Sequence, residues 1–156
     1  MTILVGYIYN PVNKENMKLT SKGRYAVMAL ADLAIFDIKE PVSLRDISLR
    51  QGISLVYLEQ IFSKLKKNKI VQSVRGIKGG YKLTKKASEI KISDIFSAVE
   101  EKIKTVGCEK HSDRGCNGKT YKCITHNLWD ELENYINVFF QNKSLDDLIN
   151  KTDLKI

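Results

Sequence analysis

The sequence predicts a mainly α-helical chain carrying one small β-hairpin, and three observations predict it. Apolar residues recur at helical spacing in three long stretches, 21–36, 54–69 and 125–141. The two runs with strand character, 70–74 and 81–84, are short and flank a turn holding Gly76, Gly79 and Gly80. The connections between these stretches are brief, apart from one cysteine-containing loop.

In chain order, residues 1–16 show no helical pattern, contain Pro11, and are expected to form a disordered extension; MKLTSKGRYA, beginning at Met17, reads as a natural start. Ser21 to Phe36 places Tyr25, Met28, Ala29 and Leu33 on one helical face, with several Ala residues adding propensity. Pro41 breaks the chain. Ser43, three residues before Asp46, then has the spacing of a capping box for a short helix through Gln51, which Gly52 closes.

Ser54 is placed to cap the next helix, to about Lys69, whose apolar stripe is Leu55, Leu58, Ile61, Phe62 and Leu65. Two helices joined by a tight Gly-containing turn make a helix-turn-helix. The face opposite the stripe carries Val56, Tyr57, Glu59, Gln60, Ser63, Lys64 and Lys67, polar groups for base edges near the start and cations for phosphates near the end. Directly afterwards, a hairpin formed by 70–74 and 81–84 would be a wing, with Arg75, Lys78 and Lys82 set to meet phosphates or enter a narrow minor groove. An ordinary Gly-rich turn is the plainer alternative.

Ser93 is placed to cap a short helix, Asp94 to Glu100, with Ile95, Phe96 and Val99 inward; Thr125 is placed to cap the last long helix, to about Gln141. Leu128, Leu132, Tyr135, Ile136, Phe139 and Phe140, with Trp129, make that helix more apolar than one small domain requires. A helix-helix contact between two copies is one use, and packing on the first helix the other. Ser144 would cap a final turn, Leu145 to Ile149. The predicted organisation is an extension (1–16), a winged helix-turn-helix (17–100), a ligand-bearing loop (101–124) and a dimerisation helix with its tail (125–156).

Composition bounds the function. A chain of 156 residues with 43% hydrophobic content suits one domain with an appended helix. No stretch approaches the roughly 20 apolar residues of a membrane span, and the first residues lack the basic start and apolar run of a secretory leader. The expected location is the cytoplasm. The net charge of +8 is unevenly spread: residues 17–91 hold 16 Lys and Arg against 6 Asp and Glu, and residues 92–156 hold 9 against 11. The front half has the footprint of a polyanion binder, although a merely solvated Lys-rich face would look similar.

All three cysteines and both histidines fall between Gly107 and His126. Cys108, Cys116, Cys123 and His126 are separated by seven, six and two residues in a loop rich in Gly, Asn, Asp and Ser. Thiolate and imidazole select zinc, copper or iron-sulfur centres over hard cations. Three thiolates with one imidazole satisfy a structural zinc or a [2Fe-2S] cluster, and spacing alone does not choose. Lys110, Arg114, Lys119 and Lys122 in the same loop favour the thiolate form. A Cys123 nucleophile with His126 as base would be the enzymatic alternative, but no oxyanion-hole motif or Gly-rich phosphate loop accompanies the pair.

With MKLTSKGRYA (17–26), QGIS (51–54), YLEQ (57–60), SVRG (73–76) and CITH (123–126) in place, the chain resembles the IscR-type winged-helix regulators of iron-sulfur cluster assembly, a family that also contains NsrR and CymR. The resemblance runs from Met17 to about Ile149. It implies a homodimeric bacterial transcription factor that binds pseudo-palindromic double-stranded DNA. It further implies a [2Fe-2S] cluster on each subunit, received from cluster-assembly proteins, whose occupancy alters promoter choice and whose loaded form represses the cluster-assembly genes. By position, Cys108, Cys116, Cys123 and His126 match cluster ligands. Tyr57, Gln60 and Arg75 match DNA-contacting positions, and Glu59 matches the acidic residue that tunes site preference; Ser54, Val56, Lys64 and Lys78, read from the helix and the wing themselves, complete the candidate DNA-binding set. A same-family regulator that uses its cysteines as a zinc, thiol-redox or nitric-oxide sensor is the alternative.

Three departures from the family pattern stand out. The gaps between cysteines are longer, which admits His111 as a rival to His126. Val56 stands where a small polar residue is usual; it cannot hydrogen-bond a base, although its methyl groups suit thymine. Ile77-Lys78 replaces a common Pro-Gly pair in the wing turn.

Overall fold

A computed structural model describes residues 20–37, 40–103 and 121–150. The elements are α1 (Ser21–Phe36), α2 (Leu44–Gln51), α3 (Leu55–Lys67), β1 (Val71–Val74), β2 (Gly80–Leu83), a 3-10 turn (Ala87–Glu89), α4 (Ile92–Ala98), α5 (His126–Asn142) and α6 (Asp146–Ile149). Mainly helical with one antiparallel hairpin, this is the predicted fold class.

The first helix is the keel. Ala26, Ala29, Leu30 and Leu33 are fully buried along it and meet Ile47 from α2, Leu58, Phe62 and Leu65 from α3, and Ile95 and Val99 at α4. Each such large side chain contributes on the order of 1.5–3 kcal/mol by leaving water. Met28 and Leu55, expected inward, sit on the rim instead, 36% and 39% exposed. The α1–α2 contact is locked by a buried carboxylate: Asp32 accepts from Arg50 Nη2 at 2.6 Å and from Gln51 Nε2 at 2.7 Å. The Arg50 guanidinium also lies 4.2 Å from the Phe36 ring centre.

Both predicted caps of the helix-turn-helix form. Ser43 Oγ accepts from Asp46 N at 3.1 Å and Ser54 Oγ from Tyr57 N at 3.4 Å, while Gly52 takes φ +64° between the helices. At the other end α3 stops at Lys67, two residues short of the expected Lys69. Lys69 adopts φ +57°, and the bonds Lys69 N to Lys66 O and Ile70 N to Leu65 O turn the chain in a Schellman motif. The same motif ends α4, where Glu100 takes φ +57° and Glu101 N reaches Phe96 O. In neither case does glycine mark the stop, so the sequence signal was absent.

The hairpin pairs Val71 with Leu83 and Val74 with Gly80. Val42 adds a bridge to Tyr81, and a side chain at Gly80 would place its Cβ 2.4 Å from Val42 O, so only glycine lets these backbones meet. Ser93 does not cap α4. The helix begins at Ile92, and Asp94 Oδ2 accepts from Lys91 N instead. Ser144 does form its capping box, through Asp147, and the bonds Ile92 N to Lys143 O and Leu145 N to Ile90 O tie the end of α5 to the start of α4. Phe140 packs edge-on to Phe96 at 4.9 Å. Most of the α5 stripe points elsewhere: Leu128, Tyr135 and Phe139 are more than half exposed. Among the described residues no helix is long and apolar enough to cross a membrane.

Candidate nucleic-acid interface and metal-ligand segment

The outer face of α3 is built by its own amphipathicity. Once Leu58, Ile61, Phe62 and Leu65 turn inward, the residues between them must face solvent. Ser54, Val56, Glu59 and Gln60 are exposed at the start of the helix, as a base-reading surface requires. Tyr57 is half-buried and packs edge-on to Tyr25 at 5.9 Å, which fixes its ring against α1. Ser54 spends an oxygen lone pair on its cap but keeps its proton for a phosphate or base.

The predicted cations fall into two groups. Arg75 is exposed at the base of the wing turn and has no ion-pair partner among the described residues. Lys67 is likewise exposed and outside the ion pairs among the described residues, whereas Lys64 is held by Glu100, Lys78 by Glu40 at 2.8 Å, and Lys82 by Asp37 at 3.6 Å. Asp37 also accepts from Leu83 N at 2.8 Å, so it anchors the wing to the end of α1. Lys66, left out of the sequence prediction, donates to Ser73 Oγ at 2.7 Å and joins α3 to β1. At the wing tip Ile77 is fully exposed beside Gly76, whose φ is +133°.

Cys108, Cys116 and the rival His111 lie outside the described residues. Cys123 and His126 lie within them, at the foot of α5. His126 N donates to Cys123 O at 3.0 Å, closing a turn that brings the thiol and the imidazole to one end of the helix. His126 is buried and Cys123 half-buried. One thiolate and one imidazole on a closed turn suit a soft metal centre, although among the described residues no group of three or more His, Cys, Asp or Glu is gathered to hold a metal ion. Thr125 follows Cys123 by two residues. It is the N-cap of α5, but its side chain does not cap. Its Oγ1 accepts from Trp129 Nε1 at 3.2 Å and lies 3.6 Å from Cys123 Sγ. Sequence reading treated Thr125 only as a cap; the Thr-to-Trp spacing of four was the overlooked signal.

The model of the Rrf2 family, described as iron-dependent transcriptional regulators, matches residues 19–151. The HTH-type transcriptional regulator IscR of Pectobacterium carotovorum is 49% identical over 138 residues, covering 88% of this chain and 82% of that protein. Its counterpart in Serratia proteamaculans is 49% identical over 140 residues, covering 90% and 84%. Among solved structures, CymR, the global cysteine regulator of B. subtilis, superposes with a TM-score of 0.73 at 29% identity over 87% of this chain and 98% of that one. T. potens IscR gives 0.69 at 31% over 89% and 91%. The chain therefore belongs to the Rrf2 family: it is a winged-helix, DNA-binding transcriptional regulator of the IscR type, and not an enzyme.

Proposed function

We propose that this regulator acts as a homodimeric repressor of cluster-assembly genes whose DNA binding answers to a [2Fe-2S] cluster held by Cys108, Cys116, Cys123 and His126. The observation that carries the reading is the Cys123–His126 turn, a thiol and an imidazole gathered where α5 begins. When bound, the cluster supplies a centre whose charge and occupancy change with iron and sulfide supply. The chain's own residues do the rest. The turn at Cys123 feeds directly into α5, and the end of α5 is tied to α4, so ordering at one end of the helix bears on the winged domain at the other.

For DNA, α3 enters the major groove with Ser54, Val56, Tyr57, Glu59 and Gln60 at the base edges, and Arg75 reaches the flanking backbone or minor groove. Lys64 and Lys78 are phosphate partners once their acids release them. Two copies related by a twofold axis read a pseudo-palindrome, and cluster-assembly proteins act as donors. The groove between α1, α4 and α5, lined by Val27, Met28, Phe96, Phe139 and Phe140, offers apolar surface to a second subunit.

Anaerobic purification with an absorption spectrum and iron and sulfide assays tests the cluster on wild type, His126→Ala and His111→Ala. Brown protein with matching iron and sulfide, lost in His126→Ala alone, is expected; a colourless zinc-loaded protein refutes the reading. Operator affinity that is unchanged between loaded and stripped protein would refute the switch. In a footprinting titration Arg75→Ala should weaken binding more than Lys86→Ala.

A further inference from the structure

We infer that Thr125, oriented by Trp129, donates a hydrogen bond to the Cys123 sulfur and thereby sets the electron affinity of the centre that Cys123 helps to hold. The inference rests on the reading of Cys123 as a cluster ligand and adds residues with no ligand role of their own.

The geometry starts from a cap that is not used. Thr at an N-cap ordinarily turns its oxygen onto a backbone N–H of the first helical turn. Thr125 makes no such bond. Its Oγ1 instead sits between two side chains, Trp129 Nε1 at 3.2 Å and Cys123 Sγ at 3.6 Å. An indole N–H can only donate, so the Trp129 contact occupies a lone pair of the hydroxyl and leaves its proton over. A thiolate ligand can only accept. The direction of the second bond follows: Trp129 to Thr125, then Thr125 to sulfur. Trp129 lies one helical turn beyond Thr125 and on the same face, so the helix itself holds donor and relay in register.

Hydrogen bonds onto ligand sulfur are a main lever on iron-sulfur potentials, because they stabilise the extra negative charge of the reduced form. Replacement of one thiolate by imidazole already makes this ligand set less negative, and the relay acts in the same direction. The residues Cys123, Thr125, His126 and Trp129 then form one unit on the first turns of α5: two ligands, a donor and the group that aims it.

The test uses the full-length, cluster-loaded protein. Midpoint potentials and resonance Raman spectra in H2O and D2O are compared for wild type, Thr125→Val, Thr125→Ser and Trp129→Phe. Thr125→Val should keep its iron and sulfide, shift to a lower potential, and lose the deuterium-sensitive shift of the Fe–S stretching bands. Thr125→Ser, which retains the hydroxyl, should stay near wild type, and Trp129→Phe should fall between. An unchanged potential in Thr125→Val, or a Thr125→Ser shift as large as that of Thr125→Val, overturns the relay. If Thr125→Val does not load, Trp129→Phe decides, and a wild-type potential there overturns it. Wild-type protein that takes up no iron and sulfide overturns the cluster reading and this inference with it, an outcome distinct from loaded variants that fail to shift.

Discussion

Lys64, on the outer face of α3, and Glu100, in the turn that leaves α4, form an ion pair with Nζ 2.5 Å from Oε2. Both partners are exposed, so the pair adds little to fold stability. Its consequence is for DNA, because Lys64 cannot serve a phosphate while Glu100 holds it. Glu100→Gln should therefore tighten operator binding by a few-fold and steepen the salt dependence by about 0.9 in log–log slope per subunit, the signature of one added phosphate contact. The Lys64 hydrogen bond, followed by its charge, holds the Glu100 carboxyl below its ordinary range. A carboxyl depressed in this way keeps its pair above its unfolded pKa and loses it only as pH falls through the lowered folded value. The difference between Glu100→Gln and wild type should accordingly persist unchanged from roughly pH 6 to pH 8. Binding titrations over salt and pH check it; equal slopes for the two proteins would show that Lys64 stays off the DNA.

Arg50 and Asp32 make the opposite kind of pair. The Asp32 side chain is 1% exposed and that of Arg50 33%. The hydrogen bond it donates to Asp32 keeps the Arg50 guanidinium firmly charged, against the opposing effect of its partial burial. Removing one member strands the other, which in buried pairs costs about 3–5 kcal/mol. Gln51 still reaches Asp32, so Arg50→Ala should fall near the lower end, about 3 kcal/mol. Arg50→Ala combined with Asp32→Ala should recover part of that loss. Urea denaturation of Arg50→Ala, Asp32→Ala and the double variant measures both, and a double variant as unstable as the sum of its singles would contradict the coupling.

The helix-turn-helix was legible because each of its signals is local. Ser43, Gly52 and Ser54 sit at fixed offsets from an apolar stripe, and a cap needs no knowledge of the rest of the chain. What sequence reading missed depends on contacts between distant residues. Lys64, Lys78 and Lys82 were legible as cations, but the acids that hold them, Glu100, Glu40 and Asp37, lie far off in the sequence and meet them only across the fold. Leu55 and Met28 fit their helical stripes, but a stripe has edges, and which residue falls on an edge is decided by the packing partner. The start of α4 went astray for a different reason: Ser93 had the chemistry of a cap, while Asp94 had the position to bond Lys91 N. At the metal-ligand segment, the short spacing of Cys123 and His126 appears as a backbone turn at the start of α5, His126 N to Cys123 O, while Cys108, Cys116 and His111 lie outside the described residues.

Lys69 offers a test of helix ending. A non-glycine residue in the left-handed region costs roughly 1 kcal/mol, and glycine at the same point of a Schellman motif avoids the cost. Lys69 has φ +57°, and it follows α3 without belonging to the stripe proposed to read DNA. Lys69→Gly should stabilise the protein by about 0.5–1 kcal/mol, somewhat reduced by the greater freedom of glycine in the unfolded chain. Thermal denaturation should show the gain, with operator affinity changed by no more than about two-fold, since one peripheral charge is lost. A loss of stability would mean that the Lys69 side chain contributes more than its backbone costs.

The exposed stripe of α5 carries the dimer prediction. Leu128, Leu132, Tyr135 and Phe139 recur at helical spacing on one face and are 58%, 37%, 68% and 55% exposed. Single exposed apolar residues are ordinary, but four in line over a 17-residue helix form a contiguous surface that soluble monomers seldom carry. If a second subunit covers the stripe, a charge at its centre is buried without a partner, and the contact fails. Leu132→Glu should convert the dimer to a folded monomer at micromolar concentration. The change should leave the helical circular dichroism signal near that of wild type, because Leu132 already sits at the solvent edge of its own subunit. Affinity for a full palindrome should fall on the order of 100-fold, as two linked half-site contacts become independent, while half-site affinity stays nearly constant. Sedimentation velocity with binding to full and half sites reads both effects. A Leu132→Glu protein that still sediments as a dimer would assign the subunit contact to some other face.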